Sequence, residues 1–192
     1  MLRRLYDWTI SLAGHRHALA ALALVSFIES SVFPIPPDVL MIPMIIATPH
    51  RAFLIAGVAT LASVAGGLLG YVIGWGLYES VGRPVLEFYG REAQFQSFAA
   101  TYNAWGAWAV LIAGVTPFPY KVITILSGTT GLNLGIFMVA SVIARGLRFF
   151  VLAALLWKFG PPIRDFIERR LGLVFTVFMV LLVGGFVVAR YL

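Results

Sequence analysis

The stretches "FPIPPDVLMIP" (residues 33–43) and "TPFPYKVITIL" (residues 116–126) decide how this chain folds. They align without a gap at an offset of 83 residues, matching Pro34 with Pro117, Pro36 with Pro119 and Val39 with Val122. Where the first copy has Asp38, the second has Lys121. Both lie in surroundings as apolar as a membrane span. Proline has no N–H to donate and pushes the residue before it away from the helical region. Two prolines at i, i+2 therefore break a helix, and this chain does so twice in the same way.

Working outward, residues 17–33 map on 100–116 as an apolar run that leads into the break, and 38–48 map on 121–131 as a run that leaves it. Residues 52–74 map on 135–157, a full span in each copy. The unit is short helix, break, short helix, long helix. It occurs twice and is followed by one more apolar run at 171–189. A half-helix of about 11 residues rises only about 16 Å, against the roughly 30 Å of a bilayer's hydrocarbon. A hairpin that enters the membrane and returns to the same side suits these lengths better than two crossings. Each unit then crosses an odd number of times, and the second copy sits upside down relative to the first.

Composition agrees. Of 192 residues, 60% are hydrophobic and 11% are charged, with a mean hydropathy of +0.93, whereas a soluble domain carries about 25% charged residues. The expected fold class is an all-α integral membrane protein: an inverted repeat of two re-entrant helical hairpins, each followed by a transmembrane helix, plus a C-terminal transmembrane helix. It forms a single membrane domain over 1–192. Residues 1–16 are expected as an interfacial N-terminal helix with Tyr6 and Trp8 at the headgroups. Repeat 1 covers 17–78, an interfacial amphipathic segment 79–103, repeat 2 104–158, and a basic loop and final span 159–192. The basic N-terminus followed by an apolar run also admits a signal peptide, but no clean small-residue cleavage site follows.

The net charge of +6 is attributed to cytoplasmic loops and anionic lipid headgroups rather than to nucleic acid. Arg3, Arg4, Arg16 and Arg51 fall on the same side as Lys158, Arg164, Arg169 and Arg170, which places the N-terminus in the cytoplasm and the C-terminus in the periplasm. With no cysteine there is no disulfide framework and no thiolate metal site. Neither a metal nor a cofactor is implied. Gly66, Gly70 and Gly74 form two overlapping small-xxx-small spacings, an approach surface for another helix.

Besides Lys121, four charges stand inside apolar runs. Glu29 has no compensating neighbour in "LVSFIESSVF", so it must pair or take up a proton. Asp38 opens the half-helix after the first break, where it either caps that helix or faces a cavity. Arg145 and Arg148, in "SVIARGLRFFV", share one helix face at i, i+3. Each costs about 2.5–3.5 kcal/mol at mid-membrane if unmet. Their partners are Glu29 and Asp38, or a substrate phosphate, whose oxygens suit the planar guanidinium fork.

The motifs "FIESSVFPIPPDVL", "GVTPFPYKVITILSGTTG" and "ARGLRFF" resemble the DedA family of bacterial inner-membrane proteins, in particular its YqaA-like branch. The VTT-domain, or SNARE-associated Golgi, proteins of eukaryotes are relatives. The resemblance covers nearly the whole chain. It implies two re-entrant hairpins in inverted repeat and a role in moving lipids across bilayers, undecaprenyl phosphate in bacteria and phospholipid in eukaryotes. It also implies an acidic pair in the first hairpin, matched by Glu29 and Asp38. The family pattern has an arginine shortly before the second break's proline, where this chain has Thr116, and a later arginine approximated by Lys121.

The expected function is a transporter or flippase for an anionic lipid headgroup. Arg145, Arg148, Lys121 and Thr116 would bind the headgroup, and Glu29 and Asp38 would couple protons or ions. The alternatives are a proton-coupled ion or drug antiporter and a non-transporting assembly factor. An enzyme is not expected: the histidines His15, His17 and His50 lie near span ends, and Glu29 and Asp38 are the intramembrane acids. The expected partners are membrane lipids, with a homo-oligomer left open and nucleic acid excluded.

Overall fold

The structure, a computed structural model, describes residues 17–31, 36–116, 119–160 and 162. The expected interfacial helix at the N-terminus, Pro34, Pro117 and the final span at 171–189 lie outside the described residues. Among the described residues all regular structure is helical, with no strand. The helices are α1 (Ala18–Ser31), α2 (Asp38–Ala47), α3 (Ala52–Leu77), α4 (Arg83–Phe88), α5 (Glu92–Val115) and α6 (Tyr120–Thr129), then α7 (Leu134–Gly160). A single 3₁₀ turn, Pro49–Arg51, joins α2 to α3. Three continuous helical stretches are long and apolar enough to cross a membrane: Pro49–Phe88, Glu92–Val115 and Leu134–Gly160.

The 83-residue offset holds at the level of elements. The order short helix, break, short helix, long helix recurs, and α3 shifted by 83 residues would start one residue after Leu134. Helix α1 ends at Ser31 ahead of Pro34 and Pro36, and α5 ends at Val115 ahead of Pro117 and Pro119. The first arm of the second copy differs from the sequence expectation. It has 24 residues and begins at Glu92, where a start near residue 100 was expected.

The segment expected as one surface-lying amphipathic piece at 79–103 is two helical arms joined by a reversal. A wide π turn, Tyr78–Gly82, carries α3 on into α4. Gly90 then adopts φ +63°, a left-handed conformation that glycine takes without penalty, and α5 starts two residues later. Tyr78 stacks on Phe95 at 4.9 Å, Gln96 donates to the Tyr78 hydroxyl at 3.1 Å, and Arg83 lies 3.7 Å from Glu92. These contacts hold the arms side by side. Of the periodic apolar residues, Phe95 packs on Tyr78, while Val85, Phe88 and Phe98 are exposed.

The two long helices of the repeats, α3 and α7, run antiparallel. Tyr71 packs on Phe137 with ring centroids 5.2 Å apart, Arg145 reaches Ser63, Gly146 faces Thr60, and Phe53 packs on Trp157 at 5.9 Å. Residue number rises on one helix as it falls on the other.

The glycine stripe of α3 does what its spacing suggests. A Cβ at Gly66 would collide with the Phe27 backbone of α1, and one at Gly74 with the Ile125 backbone of α6. Helices α1 and α6 therefore follow one another along α3 and meet near Gly70, where the Thr124 hydroxyl shares its proton between the Ser30 carbonyl at 3.1 Å and the Lys121 carbonyl at 2.9 Å. The bond to Ser30 satisfies one of the carbonyls that the end of α1 leaves without a helical partner. Gly128 of α6 returns the contact, lying against the Tyr71 backbone. Backbones approach this closely because at each contact one helix presents a glycine.

The far end of α6 is firmly tied. Gly131, at φ +67°, terminates it with bonds from Leu132 N to Ser127 O and from Gly131 N to Gly128 O. Side chains of neighbouring helices hold the same turn: Tyr71 donates to the Leu132 carbonyl at 2.6 Å, Asn103 to the Thr130 carbonyl at 2.8 Å, and Tyr102 shares a 2.9 Å hydrogen bond with Ser127.

The core is apolar but also holds hydroxyls, and much of the outer surface is apolar too. The buried set includes Ser26, Ser30, Thr60, Ser63, Thr124, Ser141 and Arg145, while Leu61, Trp105, Ile112 and Val139 are exposed. In water such a surface would aggregate. Against lipid tails it costs nothing, and the interior becomes the place where hydroxyls find partners.

Candidate functional site

Glu29 sits in the last turn of α1 because that helix runs up to the first break, and Asp38 opens α2 on the far side of the break. Arg145 and Arg148, one turn apart near the middle of α7, meet both acids. Arg145 Nη2 donates to Glu29 Oε2 at 2.9 Å. Arg148 Nη2 donates to Asp38 Oδ2 at 2.6 Å. Four of the charges that sequence reasoning singled out thus form two ion pairs at one place in the fold.

The pairs differ in kind. Arg145 is 2% exposed, and among the described residues it is the largest side chain to be fully buried. Its Nε donates to Ser63 Oγ at 2.6 Å. Ser63 and Ser30 hydroxyls lie 2.7 Å apart, and Ser30 Oγ donates within 3.1 Å of Glu29 Oε2 or 3.0 Å of the Ser26 carbonyl. Since the Ser30 proton is committed to one of these acceptors, Ser63 supplies the proton between the serines. Donation then runs one way, from Arg145 to Glu29 directly and from Arg145 through Ser63 to Ser30. The guanidinium faces are covered by Tyr120 at 4.8 Å and Phe149 at 4.6 Å, a cation–π sandwich that replaces water on both sides. The Tyr120 hydroxyl is buried beside Ser141. Gly67 leaves room for it, since a Cβ there would come within 3.2 Å of that oxygen.

The second pair is looser. The Arg148 and Asp38 side chains are each 23% exposed. Arg148 spends its other amino group, Nη1, on the Thr116 backbone carbonyl at 2.9 Å. Thr116 is the last described residue before the second break, and Asp38 is the first helical residue after the first. One guanidinium therefore bridges the two breaks. Asp38 makes no capping bond to α2, and its Oδ1 is buried without a hydrogen-bond partner among the described residues.

Of the other sequence-derived candidates, Thr116 joins the site through its carbonyl. Lys121 occupies the first turn of α6, partly buried and next to Tyr120. Pro36 and Pro119 flank the starts of α2 and α6. Sequence reasoning missed Ser30, Ser63, Tyr120 and Phe149. Ser63 carried a signal, because Thr60 and Ser63 are the hydroxyl-bearing residues between Ala52 and Gly70, and a lone hydroxyl inside a span wants a partner. Phe149 directly follows Arg148, but adjacency in sequence does not tell which ring covers which guanidinium.

A helical membrane protein with a charged centre between two proline breaks is the class that this architecture defines. The VTT domain profile matches residues 35–158, and the chain belongs to the VTT-domain family, the DedA/SNARE-associated group. It is 36% identical over 168 residues to an uncharacterized protein of Haemophilus influenzae, covering 85% of this chain and 87% of that one. It is 37% identical over 168 residues to a Histophilus somni protein described as an uncharacterized protein HI0703 homolog, with the same shares covered. No solved structure matches the chain. The family is membrane-associated and commonly linked to transport.

Proposed function

We propose that this protein is a bacterial inner-membrane transporter that moves an anionic lipid headgroup, undecaprenyl phosphate or a phospholipid, across the bilayer, and that it has no catalytic activity. The supporting observation is the meeting of both helix breaks at one charged centre. Arg145 lies 11 residues after Leu134 in α7, and Ser63 lies 11 residues after Ala52 in the antiparallel α3. At 1.5 Å per residue each is about 17 Å along its helix, near the middle of roughly 30 Å of hydrocarbon. On this reading α1–α2 and α5–α6 are re-entrant hairpins of an inverted repeat that enter from opposite faces and touch at the midplane. Broken backbone and buried charge at that depth belong with a passage for a polar group. Asp38 competes with the headgroup for Arg148 and carries the coupled proton.

The test is reconstitution into phosphatidylcholine vesicles with a fluorescent short-chain phospholipid or alkyl phosphate, with a membrane-impermeant quencher reporting the outer leaflet. Translocation above that of protein-free vesicles, lost in Arg148→Gln, is the expected result. A rate equal to that of protein-free vesicles for every labelled lipid refutes the proposal.

A further inference from the structure

The two half-helices that follow the breaks are anchored very unequally. Helix α6 is tied at its outer end by Tyr102 and Asn103, and its Thr124 and Thr129 hydroxyls reach the Ser30 and Gly74 carbonyls, sharing their protons with the Lys121 and Ile125 carbonyls of α6 itself. Its backbone lies directly on that of α3 at Gly74 and Gly128. Helix α2 has none of this. It packs on α1, α3 and α7 through Met41, Met44 and Ile45, and methionine is the most adaptable of core side chains. The turn after it, Pro49–Arg51, is exposed. Among the described residues a single hydrogen bond leaves α2 for another element, the one from Arg148 to Asp38.

That bond is also incomplete. Asp38 accepts with one oxygen, and the other has no partner among the described residues. Arg148 divides its two amino groups between Asp38 and the Thr116 carbonyl. A carboxylate held by one oxygen uses half of what a guanidinium fork offers, whereas phosphate oxygens engage both amino groups at once. Arg145 is in no position to make the same exchange, because its Nε and Nη2 are committed and both faces are covered by rings.

From this asymmetry we infer that α2 is the moving wall of the passage and that Asp38–Arg148 is its latch. The latch opens when a phosphate-bearing anion replaces Asp38 on Arg148. Helix α6 is the fixed wall, and Arg145–Glu29 is a permanent tie rather than a binding group. The inference rests on the headgroup reading above and assigns the headgroup to one of the two arginines.

The chain has no native cysteine, so single reporters are clean. Met41→Cys places a thiol in α2 and Ile123→Cys one in α6, at sites that are 0% and 9% exposed. Met44→Cys is a second α2 reporter should the first impair folding. The full chain is reconstituted in phosphatidylcholine vesicles, and its labelling rate with a membrane-permeant maleimide is followed while dodecyl phosphate, inorganic phosphate or neutral dodecyl maltoside is added. Dodecyl phosphate is expected to raise the α2 rate at least fivefold and leave the α6 rate within twofold. Asp38→Asn is expected to raise the α2 rate with no anion present. A response to inorganic phosphate as well supports the latch and makes the free anion sufficient. A response to dodecyl phosphate alone supports it and makes the lipid tail part of the ligand. No response to either anion overturns the inference, as does equal acceleration at α2 and α6 or an equal effect of dodecyl maltoside. A latch that responds in a protein that translocates no lipid leaves the inference standing and removes the transport reading instead.

Discussion

Replacing each arginine by glutamine separates the two ion pairs by their burial. Arg145→Gln leaves Glu29, whose side chain is 15% exposed, beside Ser30 without its counter-charge and removes the fully buried Nε bond to Ser63. Breaking one side of a buried pair costs about 3–5 kcal/mol, most of it the uncompensated charge. Arg148→Gln strands Asp38 where both side chains are 23% exposed. Partial solvation and screening reduce that cost to about 1–2 kcal/mol. For a chain of this size 1 kcal/mol moves a melting temperature by about 2–4 °C, so the expected drops are about 10 °C for Arg145→Gln and about 4 °C for Arg148→Gln. The assay is the monodisperse fraction left after heating in detergent, at one fixed heating time because unfolding of membrane proteins is commonly irreversible.

The decisive arm is the double variant Glu29→Gln/Arg145→Gln. Two amides can hydrogen-bond each other and leave no buried charge, so stability should return to within about 1–2 kcal/mol of the parent. Its translocation activity is expected to stay largely intact, because Arg145 serves as a tie. The corresponding Asp38→Asn/Arg148→Gln double should regain stability yet remain inactive. Equal destabilisation by the two single replacements, or a Glu29/Arg145 double as unstable as Arg145→Gln, would falsify the claim that burial sets the energetic difference between the pairs.

At Gly74, where a Cβ would meet the Ile125 backbone, Gly74→Ala should cost several kcal/mol; Gly76→Ala, with open space around it, should be neutral or stabilise by up to about 1 kcal/mol. Heating the two variants side by side in detergent checks this, and similar melting would refute the tight α3–α6 contact. Tyr71→Phe, which removes the 2.6 Å bond to the Leu132 carbonyl, should cost about 1 kcal/mol and loosen the α6–α7 turn, seen as faster hydrogen exchange at residues 128–132. Because α3 and α7 run antiparallel, single cysteines replacing His50 and Lys158 should react with an impermeant maleimide from one side of the membrane, and one replacing Tyr89 from the other. Labelling of His50→Cys and Tyr89→Cys from the same side would contradict a crossing by α3.

How much of this could be read from sequence depends on the range of the interaction. The breaks were legible because proline acts on its own backbone and its immediate predecessor, and the repeat was legible because the same local chemistry recurs 83 residues on. The α3 stripe was legible for a similar reason, since Gly66, Gly70 and Gly74 fall on one face of any helix that contains them. The two acids and two arginines were legible as a set, because a charge in an apolar run demands an opposite charge somewhere. Their pairing was not. Two acids and two arginines allow two arrangements, and the choice depends on the depths at which α1, α2 and α7 sit, which no local pattern encodes. Glu29 takes Arg145 because α1 packs along α3, and α3 crosses α7 where Ser63 meets it. Ser30 and Ser63 are 33 residues apart and share a hydrogen bond only through that crossing. The segment 79–103 was legible as helical but not as two paired arms, for the complementary reason. Its apolar spacing is genuine, but a periodic face does not say whether lipid or another helix covers it. Here Tyr78 and Phe95 cover each other, and Gly90 supplies the reversal that makes this geometrically possible. Deciding between one helix and two paired arms required the one residue in that stretch whose backbone turns left-handed, and glycine in a polar segment permits such a turn without requiring it.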